Sequence, residues 1–259
     1  VTGAASGIGL ALAEKLAREN MQVMLADVEE ERLELAVEDL RKYQLSVSGV
    51  VADVLVEESI QNLLARARDQ YGNIHILCSN AGVGANSGTK AIWEVGKKDW
   101  DWVMGVNYQG VLNGFQTFIP HMVEHGEESH LMTTVSLAGL LPGSGTYGVS
   151  KHAVMALTEA VRNDLLARDA NVSVSALCPG FVDTNIDRSE RNRPGYLADP
   201  EVSLEESGNS PISQLLRRGK QPSEIADIVF EAIKEGIFYI LPHPAWDDML
   251  HDRFEQMLS

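Results

Sequence analysis

The first nine residues, "VTGAASGIG" (1–9), carry glycines at positions 3, 7 and 9 and run directly into a segment with helical apolar periodicity. Glycines allow a tight turn and let the backbone approach a pyrophosphate, while a helix N-terminus supplies free N–H groups with partial positive charge. This turn therefore favours a phosphate-binding loop at the start of a βαβ unit. A glycine trio alone is a weak signal, so the residues that follow it decide the interpretation.

A carboxylate follows the glycine turn at the spacing of a dinucleotide-binding unit. The apolar run "QVMLAD" (22–27) ends at Asp27, which lies 27 − 9 = 18 residues after Gly9. An acidic side chain about 20 positions beyond the turn accepts hydrogen bonds from the adenosine ribose of a dinucleotide. The same carboxylate repels a 2′-phosphate, and residues 3–9 contain no Lys or Arg that would neutralise one. The sequence therefore favours NAD over NADP as the cofactor.

The rest of the chain alternates short β-branched runs with amphipathic helical stretches. Further apolar runs lie at 47–53, 74–80, 130–136, 172–178 and 237–241. This alternation predicts an α/β protein with a parallel sheet covered by helices on both faces. The length of 259 residues suits a single domain over 1–259, whose first strand is expected to be cut short at Val1. The irregular stretch 183–221 predicts a substrate loop, with a solvated surface loop as the alternative.

Composition and charge exclude several classes of partner and site. The formal net charge of −16 repels nucleic-acid phosphates and anionic membrane surfaces, so neither is an expected partner. No run approaches the ~18 apolar residues of a membrane span. His121 and His125 are four residues apart, but their segment is typical of an exposed helix end without a third ligand, and no metal site is assigned. Cys78 and Cys178 belong to no C-x-x-C pair and are expected to be buried.

The segment "YGVSK" (147–151) places a tyrosine and a lysine on one helical face. Residues four apart on a helix are neighbours, so the ammonium of Lys151 is expected one turn from the phenol of Tyr147. A nearby positive charge favours the phenolate and lowers the pKa of the tyrosine, which allows proton exchange with an alcohol or a carbonyl. Taken alone, the pair is more typical of an ordinary surface helix.

Ordered motifs along the chain change that balance. They are "DV" (53–54), "SNAG" (79–82), "VNYQG" (106–110), "VSLAG" (135–139), "YGVSK" (147–151) and "PGFVDT" (179–184). Together with the glycine turn, they resemble the motifs of the short-chain dehydrogenase/reductase family from residue 1 to about residue 186.

The resemblance implies a fold and a set of site residues. The fold is a Rossmann-like, doubly wound sheet of about seven strands in the order 3-2-1-4-5-6-7. The catalytic residues it implies are Asn107, Ser136, Tyr147 and Lys151. The residues it implies for cofactor binding are Gly3, Ser6, Gly7, Ile8, Gly9, Asp27, Asp53, Val54, Asn80, Ala81, Gly82, Tyr147, Lys151, Pro179, Gly180, Val182 and Thr184.

The family's chemistry gives each catalytic residue a role. Tyr147 exchanges a proton with the substrate oxygen, and Lys151 lowers the pKa of that tyrosine and binds the nicotinamide ribose. Ser136 hydrogen-bonds the substrate oxygen, and Asn107 holds a water near the lysine. The implied function is an NAD-dependent dehydrogenase of a small-molecule secondary alcohol, in a homodimer or homotetramer.

The implied strand order places one strand between the two that end at the cysteines. Two strand spacings, about 9.6 Å, exceed the ~7 Å Cα limit for a disulfide. Free thiols are therefore expected, as in a cytoplasmic protein.

One spacing departs from the family. Ser136 and Tyr147 are separated by 147 − 136 = 11 positions, fewer than in most relatives. Thr134 has the usual offset but precedes the end of its strand, so the register of "SLAG" favours Ser136. The loop "LLPGSG" (140–145) contains glycines and a proline that can absorb a shortening.

The substrate and the function class keep alternatives at this stage. The tail "FYILPHPAW" (238–246) resembles family members associated with bulky hydrophobic or aromatic alcohols. The stretch 183–221 mixes aliphatic residues with Arg188, Arg191 and Arg193, which leaves the polarity of the substrate open. The tryptophans near residue 100 (Trp93, Trp100 and Trp102) are expected in the core or a subunit contact. The alternatives are an NADP-dependent carbonyl reductase and a non-catalytic NAD(H)-binding sensor.

Overall fold

Parallel strands alternate with helices throughout the computed structural model, which describes residues 1–84, 90–198 and 211–259. The strands are β1 Val23–Asp27, β2 Val47–Val51, β3 Ile76–Ser79, β4 Ser129–Thr134, β5 Val172–Leu177 and β6 Tyr239–Ile240. The helices are α1 Gly7–Arg18, α2 Glu30–Lys42, α3 Glu57–Tyr71, α4 Lys97–Met104, α5 Gly110–His125, α6 Gly145–Ala167, α7 Pro211–Arg217, α8 Pro222–Lys234 and α9 Asp247–Leu258. A π-helix, Gly105–Gln109, joins α4 to α5.

The strands form two parallel ladders, β1-β2 and β3-β4-β5-β6, with the first residues of the chain between them. Thr2 N donates to Cys78 O (3.0 Å) on one side, and Ala26 N donates to Val1 O (2.9 Å) on the other. Counting this short segment as the first strand, the order across the sheet is 3-2-1-4-5-6-7. The predicted doubly wound Rossmann-like fold is confirmed.

The carboxyl ends of the strands meet at one edge of the sheet. Because every ladder is parallel, Asp27, Ser79, Thr134 and Leu177 all lie at this edge, and Thr134 is paired directly with Leu177. In open α/β sheets ligands bind outside this edge, where the strand order reverses. The reversal here lies between β1 and β3, at the segment that precedes the glycine turn.

Apolar layers on both faces of the sheet hold it in place. One cluster contains Trp102, Phe115 and Leu131, and the other contains Leu25 and Ile225. Each fully buried aliphatic side chain of this size contributes about 1.5–3 kcal/mol. The alternating pattern of the sequence is thus explained by helices that each bury one face against the sheet.

Both cysteines are free and buried, as predicted. Cys78 pairs across the ladder with Met132 of β4, while Cys178 follows β5 on the far side of that strand. Burial raises the pKa of Cys78 to about 11 and that of Cys178 to about 12. These thiols are therefore protonated at neutral pH and poorly nucleophilic.

Two expectations about helices and loops are wrong. His121 does not lie at an exposed helix end: it is buried, because α5 packs over residue 74 and His121 Nε2 accepts a hydrogen bond from Ile74 N (3.1 Å). The stretch 183–221 is not wholly irregular, since it forms 3-10 turns at Ile186–Asn192 and Gly195–Leu197 and the helix α7. The remainder of that predicted loop, 199–210, lies outside the described residues.

Two searches of the described ranges returned nothing. None of the helices in 1–84, 90–198 and 211–259 is both long and apolar enough to cross a bilayer. Over the same ranges, no three His, Cys, Asp or Glu side chains come together in a group that would hold a metal ion.

Candidate active site

The glycine turn adopts the backbone that its sequence requires. Gly3 and Gly7 have positive φ angles of +64° and +56°. A Cβ on Gly3 would lie 2.8 Å from Ala81 Cα, and one on Gly9 would lie 2.1 Å from Gly3 O, so neither position has room for a side chain. Ser6 precedes α1 without a side-chain cap, and the first turn of α1 carries no acidic residue. These features fit a pyrophosphate at the helix N-terminus.

Asp27 closes the same end of the site from the tip of β1. It is 9% exposed, and its carboxylate accepts hydrogen bonds from Ala5 N (2.9 Å) and Glu29 N (3.0 Å). A carboxylate has about four acceptor positions, so the remaining ones are available to ribose hydroxyls. The structure therefore fits an adenosine at this end of the cleft.

Asp53 and Asn80 shape the loops beside the glycine turn. Asp53 Oδ1 accepts from Leu55 N (2.9 Å), which turns the chain after β2. Asn80 Nδ2 donates to Thr2 O (3.1 Å), and Asn80 Oδ1 accepts from Thr134 Oγ1 (2.9 Å). Asn80 thus ties the glycine turn to the end of β4, a structural role beside the predicted contact with cofactor.

Asn107 lies in the π-helix and is fully buried. Its Oδ1 accepts from Val83 N (2.8 Å), and its Nδ2 donates to Val83 O (3.0 Å) and Ser150 Oγ (3.0 Å). A π-bulge at such a position is common at functional sites. These bonds go to protein groups, so in this structure Asn107 fixes the backbone at residue 83 and does not line the cleft.

Ser136 and Tyr147 come together despite the shortened loop between them. The two side chains are hydrogen-bonded, an interaction that acts to lower the pKa of Tyr147. Gly143, Ser144 and Gly145 all have positive φ angles, of +105°, +61° and +54°, and these three residues turn the chain tightly into α6. The hydroxyl of Thr134, which has the usual offset from the tyrosine, donates a hydrogen bond to Asn80 Oδ1.

Lys151 is buried beside the tyrosine but does not control its pKa as predicted. Its Nζ lies 5.7 Å from the centroid of the Tyr147 ring and donates to Thr134 O (3.0 Å). Burial lowers the pKa of Lys151 to about 8. Burial also raises the pKa of Tyr147, outweighing the hydrogen bond with Ser136. The expected lowering is therefore wrong for this structure, because desolvation penalises the charged forms of both groups.

The cleft along the sheet edge has a volume of about 410 Å³, within the ~300–1,000 Å³ typical of ligand sites. Among the predicted site residues, those that line it are Gly3, Ser6, Gly7, Ile8, Asp27, Asp53, Val54, Asn80, Ala81, Gly82, Ser136, Tyr147, Lys151, Pro179, Gly180, Val182 and Thr184. Gly9 and Asn107 stand behind this surface. The motifs scattered through the sequence thus converge on one cleft.

The sequence analysis missed part of the lining. Trp102, Val106 and Leu216 also line the cleft, and so do Glu29 and Arg191, which lie beside Asp27. Trp102 is also buried in the core, as expected, so it serves both the core and the cleft. No short motif marks these residues, because Trp102 of α4, Val106 of the π-helix and Leu216 of α7 come together only in the folded chain.

Two of the three loop arginines are held in ion pairs. Arg191 Nη2 lies 2.6 Å from Glu29 Oε1, and Asn192 Nδ2 donates to the same oxygen (3.0 Å). Arg193 Nη2 donates to Asp99 Oδ1 (2.5 Å) and to Glu190 Oε1 (3.0 Å), and its guanidinium lies 4.3 Å from the Trp102 ring centroid. These contacts join residues 191–193, which follow β5, to Glu29 and to Asp99 of α4.

Comparison with known proteins gives the same assignment along the chain. A family model described as short chain dehydrogenase matches residues 1–195. A short-chain dehydrogenase/reductase from Burkholderia phymatum, solved in complex with NAD, is 40% identical, with a TM-score of 0.93 over 99% of this chain and 92% of that one. Actinorhodin polyketide ketoreductase, solved with NADPH, is 29% identical, with a TM-score of 0.75 over 94% of this chain and 95% of that one. The 1-deoxy-11-beta-hydroxypentalenate dehydrogenase of Streptomyces avermitilis is 35% identical over 99% of this chain and 88% of its own length.

A glycine turn at the switch point of a doubly wound sheet, with Ser136, Tyr147 and Lys151 at the same edge, defines an oxidoreductase of the dinucleotide-dependent class. The chain belongs to the short-chain dehydrogenase family. Dehydrogenases of this family act on hydroxyl or keto substrates, and its solved members bind NAD or NADPH.

Proposed function

We propose that this protein is an NAD-dependent dehydrogenase that interconverts a secondary alcohol and its ketone, with Tyr147 as the general acid and base. The observation that carries the proposal is the convergence of Ser136, Tyr147 and Lys151 at one end of the cleft whose other end holds Asp27. A dinucleotide divides in the same way into a part that is bound and a part that reacts.

The residues of the chain divide the work of the reaction. When bound, NAD supplies the hydride acceptor, a chemistry for which no side chain is suited. Tyr147 takes the hydroxyl proton of the alcohol as phenolate, or returns it to the ketone as phenol. Ser136 hydrogen-bonds the substrate oxygen, and Lys151, at the same end of the cleft, binds the nicotinamide ribose. Buried walls exclude water, which strengthens each of these interactions.

The preference for NAD rests on the charges at the adenosine end. Asp27 and Glu29 both line this end of the cleft, and either carboxylate opposes a 2′-phosphate. Arg191 is the cation there, but its guanidinium is engaged by Glu29 and by the carbonyl oxygens of Asn185 (3.3 Å) and Arg188 (2.8 Å). The relative solved with NAD supports the same preference.

The substrate we propose is a bulky hydrophobic or aromatic alcohol. Trp102, Val106 and Leu216 supply apolar surface to the cleft that Tyr147 lines. Arg193 is neutralised by Asp99 and lies against the tryptophan, so it does not offer an open cation to an acidic substrate. A relative named for a hydroxylated pentalenate supports a hydroxyl as the reacting group.

The test replaces the phenol that the proposal requires. NADH formation from a panel of aliphatic, alicyclic, aryl and steroid secondary alcohols identifies a substrate, and Tyr147→Phe is then compared with the wild type. We expect kcat to fall about 10²- to 10⁴-fold, the usual contribution of a general acid or base, while calorimetry shows unchanged NAD affinity. Tyr43→Phe, at an exposed tyrosine, is the matched control. Undiminished turnover in Tyr147→Phe, or tight NAD binding with no turnover of any alcohol, would overturn the proposal.

A further inference from the structure

His243 lies in the turn after β6 and contacts the backbone beside the candidate catalytic residues. Its Nδ1 accepts a hydrogen bond from Gly180 N (3.0 Å), and its Nε2 lies 3.1 Å from Phe181 O. A backbone N–H only donates and a carbonyl only accepts, so these partners select the neutral tautomer with its proton on Nε2. Both ring nitrogens are thus committed to one short stretch of chain.

The peptide unit that His243 holds also holds Ser136. Pro179 O, in the same peptide unit as Gly180 N, accepts from Leu137 N (2.9 Å) and from Ser136 Oγ (3.4 Å). A trans peptide is planar, and its carbonyl and N–H point in opposite directions. Fixing the direction of the Gly180 N–H therefore fixes the direction of the Pro179 carbonyl.

Packing leaves this peptide unit little freedom. A Cβ on Gly180 would lie 3.3 Å from His243 Cγ and 3.3 Å from Leu137 Cδ1, so the imidazole and the leucine enclose the glycine from two sides. The Trp246 ring stacks edge to face on Phe181, with centroids 5.7 Å apart. The turn after β6 therefore clasps residues 180 and 181 through both polar and apolar contacts.

The same C-terminal segment supports the shortened loop on the other side of Ser136. Arg253 of α9 donates to Leu140 O and lies 3.0 Å from His152 Nε2 of α6. Leu250 packs with Leu137 and Leu141 in a small apolar cluster. Residues 243–253 thus brace both backbone segments that meet at Ser136.

We propose that His243 is a positioning residue for the reaction: it fixes the Pro179–Gly180 peptide plane and thereby the direction of the Ser136 hydroxyl. This inference rests on the proposed function. The Ser136 oxygen, which is also hydrogen-bonded to Tyr147, accepts from Ala138 N (3.1 Å) and donates to Pro179 O. The contact with Pro179 O, at 3.4 Å, is long, and the hydroxyl gives it up when a substrate oxygen arrives. A peptide plane that rotates would instead leave the hydroxyl in several directions.

Three substitutions separate the two contacts of the ring. His243→Asn places an amide oxygen near the position of Nδ1, His243→Gln places an amide nitrogen near that of Nε2, and His243→Leu retains neither. With the alcohol found in the panel, we expect His243→Leu to lower kcat about 10- to 100-fold, the scale of a misplaced reacting group. His243→Asn should recover most of this loss and His243→Gln little of it, while KM changes less than about threefold because substrate binding is retained.

Two further measurements keep the outcome decisive. NAD affinity and the unfolding temperature are measured for each variant, and His251→Leu, at an exposed histidine of α9, is the matched control. Loss of kcat that follows the unfolding temperature, with no advantage of asparagine over glutamine, would show a merely structural histidine and overturn the proposal.

A readout without turnover separates this inference from the proposed function. Crystal structures of the wild type and His243→Leu should show a rotated Pro179–Gly180 peptide and a changed Ser136 side-chain angle in the variant. An unrotated peptide would overturn the positioning role even in an active enzyme. An inactive wild type with a rotated peptide in the variant would instead overturn the proposed function alone.

Discussion

The two ends of the cleft are built from very different parts of the chain. The adenosine end has its main parts within the first 27 residues, where the Asp27 carboxylate accepts from Ala5 N. The substrate end combines Ser136 with residues far away in sequence, such as His243, which holds the backbone beside it. A cofactor of fixed shape can be met by a short motif, whereas a substrate pocket takes its walls from whichever loops reach the sheet edge. The comparison implies that substitutions can damage either end separately.

The largest effect is expected where a buried ion pair joins the segment after β5 to α4. Arg193 and Asp99 have side chains only 3% and 8% exposed, so Arg193→Met leaves a buried carboxylate without its cation. Breaking such a pair costs about 3–5 kcal/mol of the free energy of unfolding. Urea denaturation measures this loss, and NAD affinity in the folded fraction should be retained.

Arg168→Met provides the matched comparison for that experiment. Arg168 pairs with Asp164 on the surface of α6, with side chains 66% and 75% exposed. An exposed pair of this kind contributes about 0–1 kcal/mol. Equal losses in the two variants would contradict a special contribution of the buried pair of Arg193 and Asp99 to stability.

The adenosine end is broken by Asp27→Ala. Hydrogen bonds to a charged group contribute about 1.5–3 kcal/mol each, so NAD affinity should fall about 10- to 100-fold, and discrimination against NADP should decrease. Titration calorimetry with both dinucleotides measures the change, with Asp39→Ala, an exposed carboxylate of α2, as the control. A variant that keeps the affinity and preference of the wild type would show that the adenosine end does not depend on this carboxylate.

The pH dependence of turnover sharpens the comparison at the reacting end. Burial raises the pKa of Tyr147, and the tyrosine acts as a base only as phenolate. Below that pKa the phenolate fraction falls tenfold for each pH unit, so kcat for alcohol oxidation should rise by up to about tenfold per unit above neutrality. Ketone reduction uses the phenol and should lack this rise. Steady-state profiles in both directions measure it, and parallel profiles would contradict the assignment.

The smallest effect is expected for the partly exposed ion pair between Glu29 and Arg191. Glu29 and Arg191 have side chains 16% and 26% exposed, and a pair near the surface contributes about 1 kcal/mol or less. Glu29→Gln should therefore speed NADH release by a factor of about five or less, measured by stopped-flow fluorescence. Glu31→Gln, an exposed neighbour on α2, should leave the rate unchanged. An unchanged release rate in Glu29→Gln would remove the pair from the account of the adenosine end.

Residues in fixed local spacing could be predicted from the sequence, and residues joined by distant contacts could not. The glycine turn, Asp27, Tyr147 and Lys151 each stand in short motifs whose spacing reflects a turn or one helical face, and the structure brings them to one cleft. The strand order was available through the family resemblance.

The direction of the Tyr147 pKa and the pairing of Arg193 with Asp99 were not accessible in this way. The pKa depends on burial created by several elements, and the ion pair joins residues 94 positions apart. His243 illustrates the same limit, because its ring acts on residue 180 across 63 positions. The periodicity of a helix or a strand can be read from a single sequence. The distant residue that a polar side chain will contact in the fold cannot.

The insertion of residues 1–4 between β1 and β3 has a consequence for the order of folding. Thr2 bonds to Cys78, which lies 76 positions along the chain, and Asn80 completes the glycine turn from the same side. Closing a loop of this length costs entropy that only later contacts repay, and pairings of this kind form slowly. During synthesis, β1 and β2 can pair while the first residues still lack their second neighbour. The glycine turn precedes β1 in the sequence, but it is therefore completed only after β3 has been synthesised.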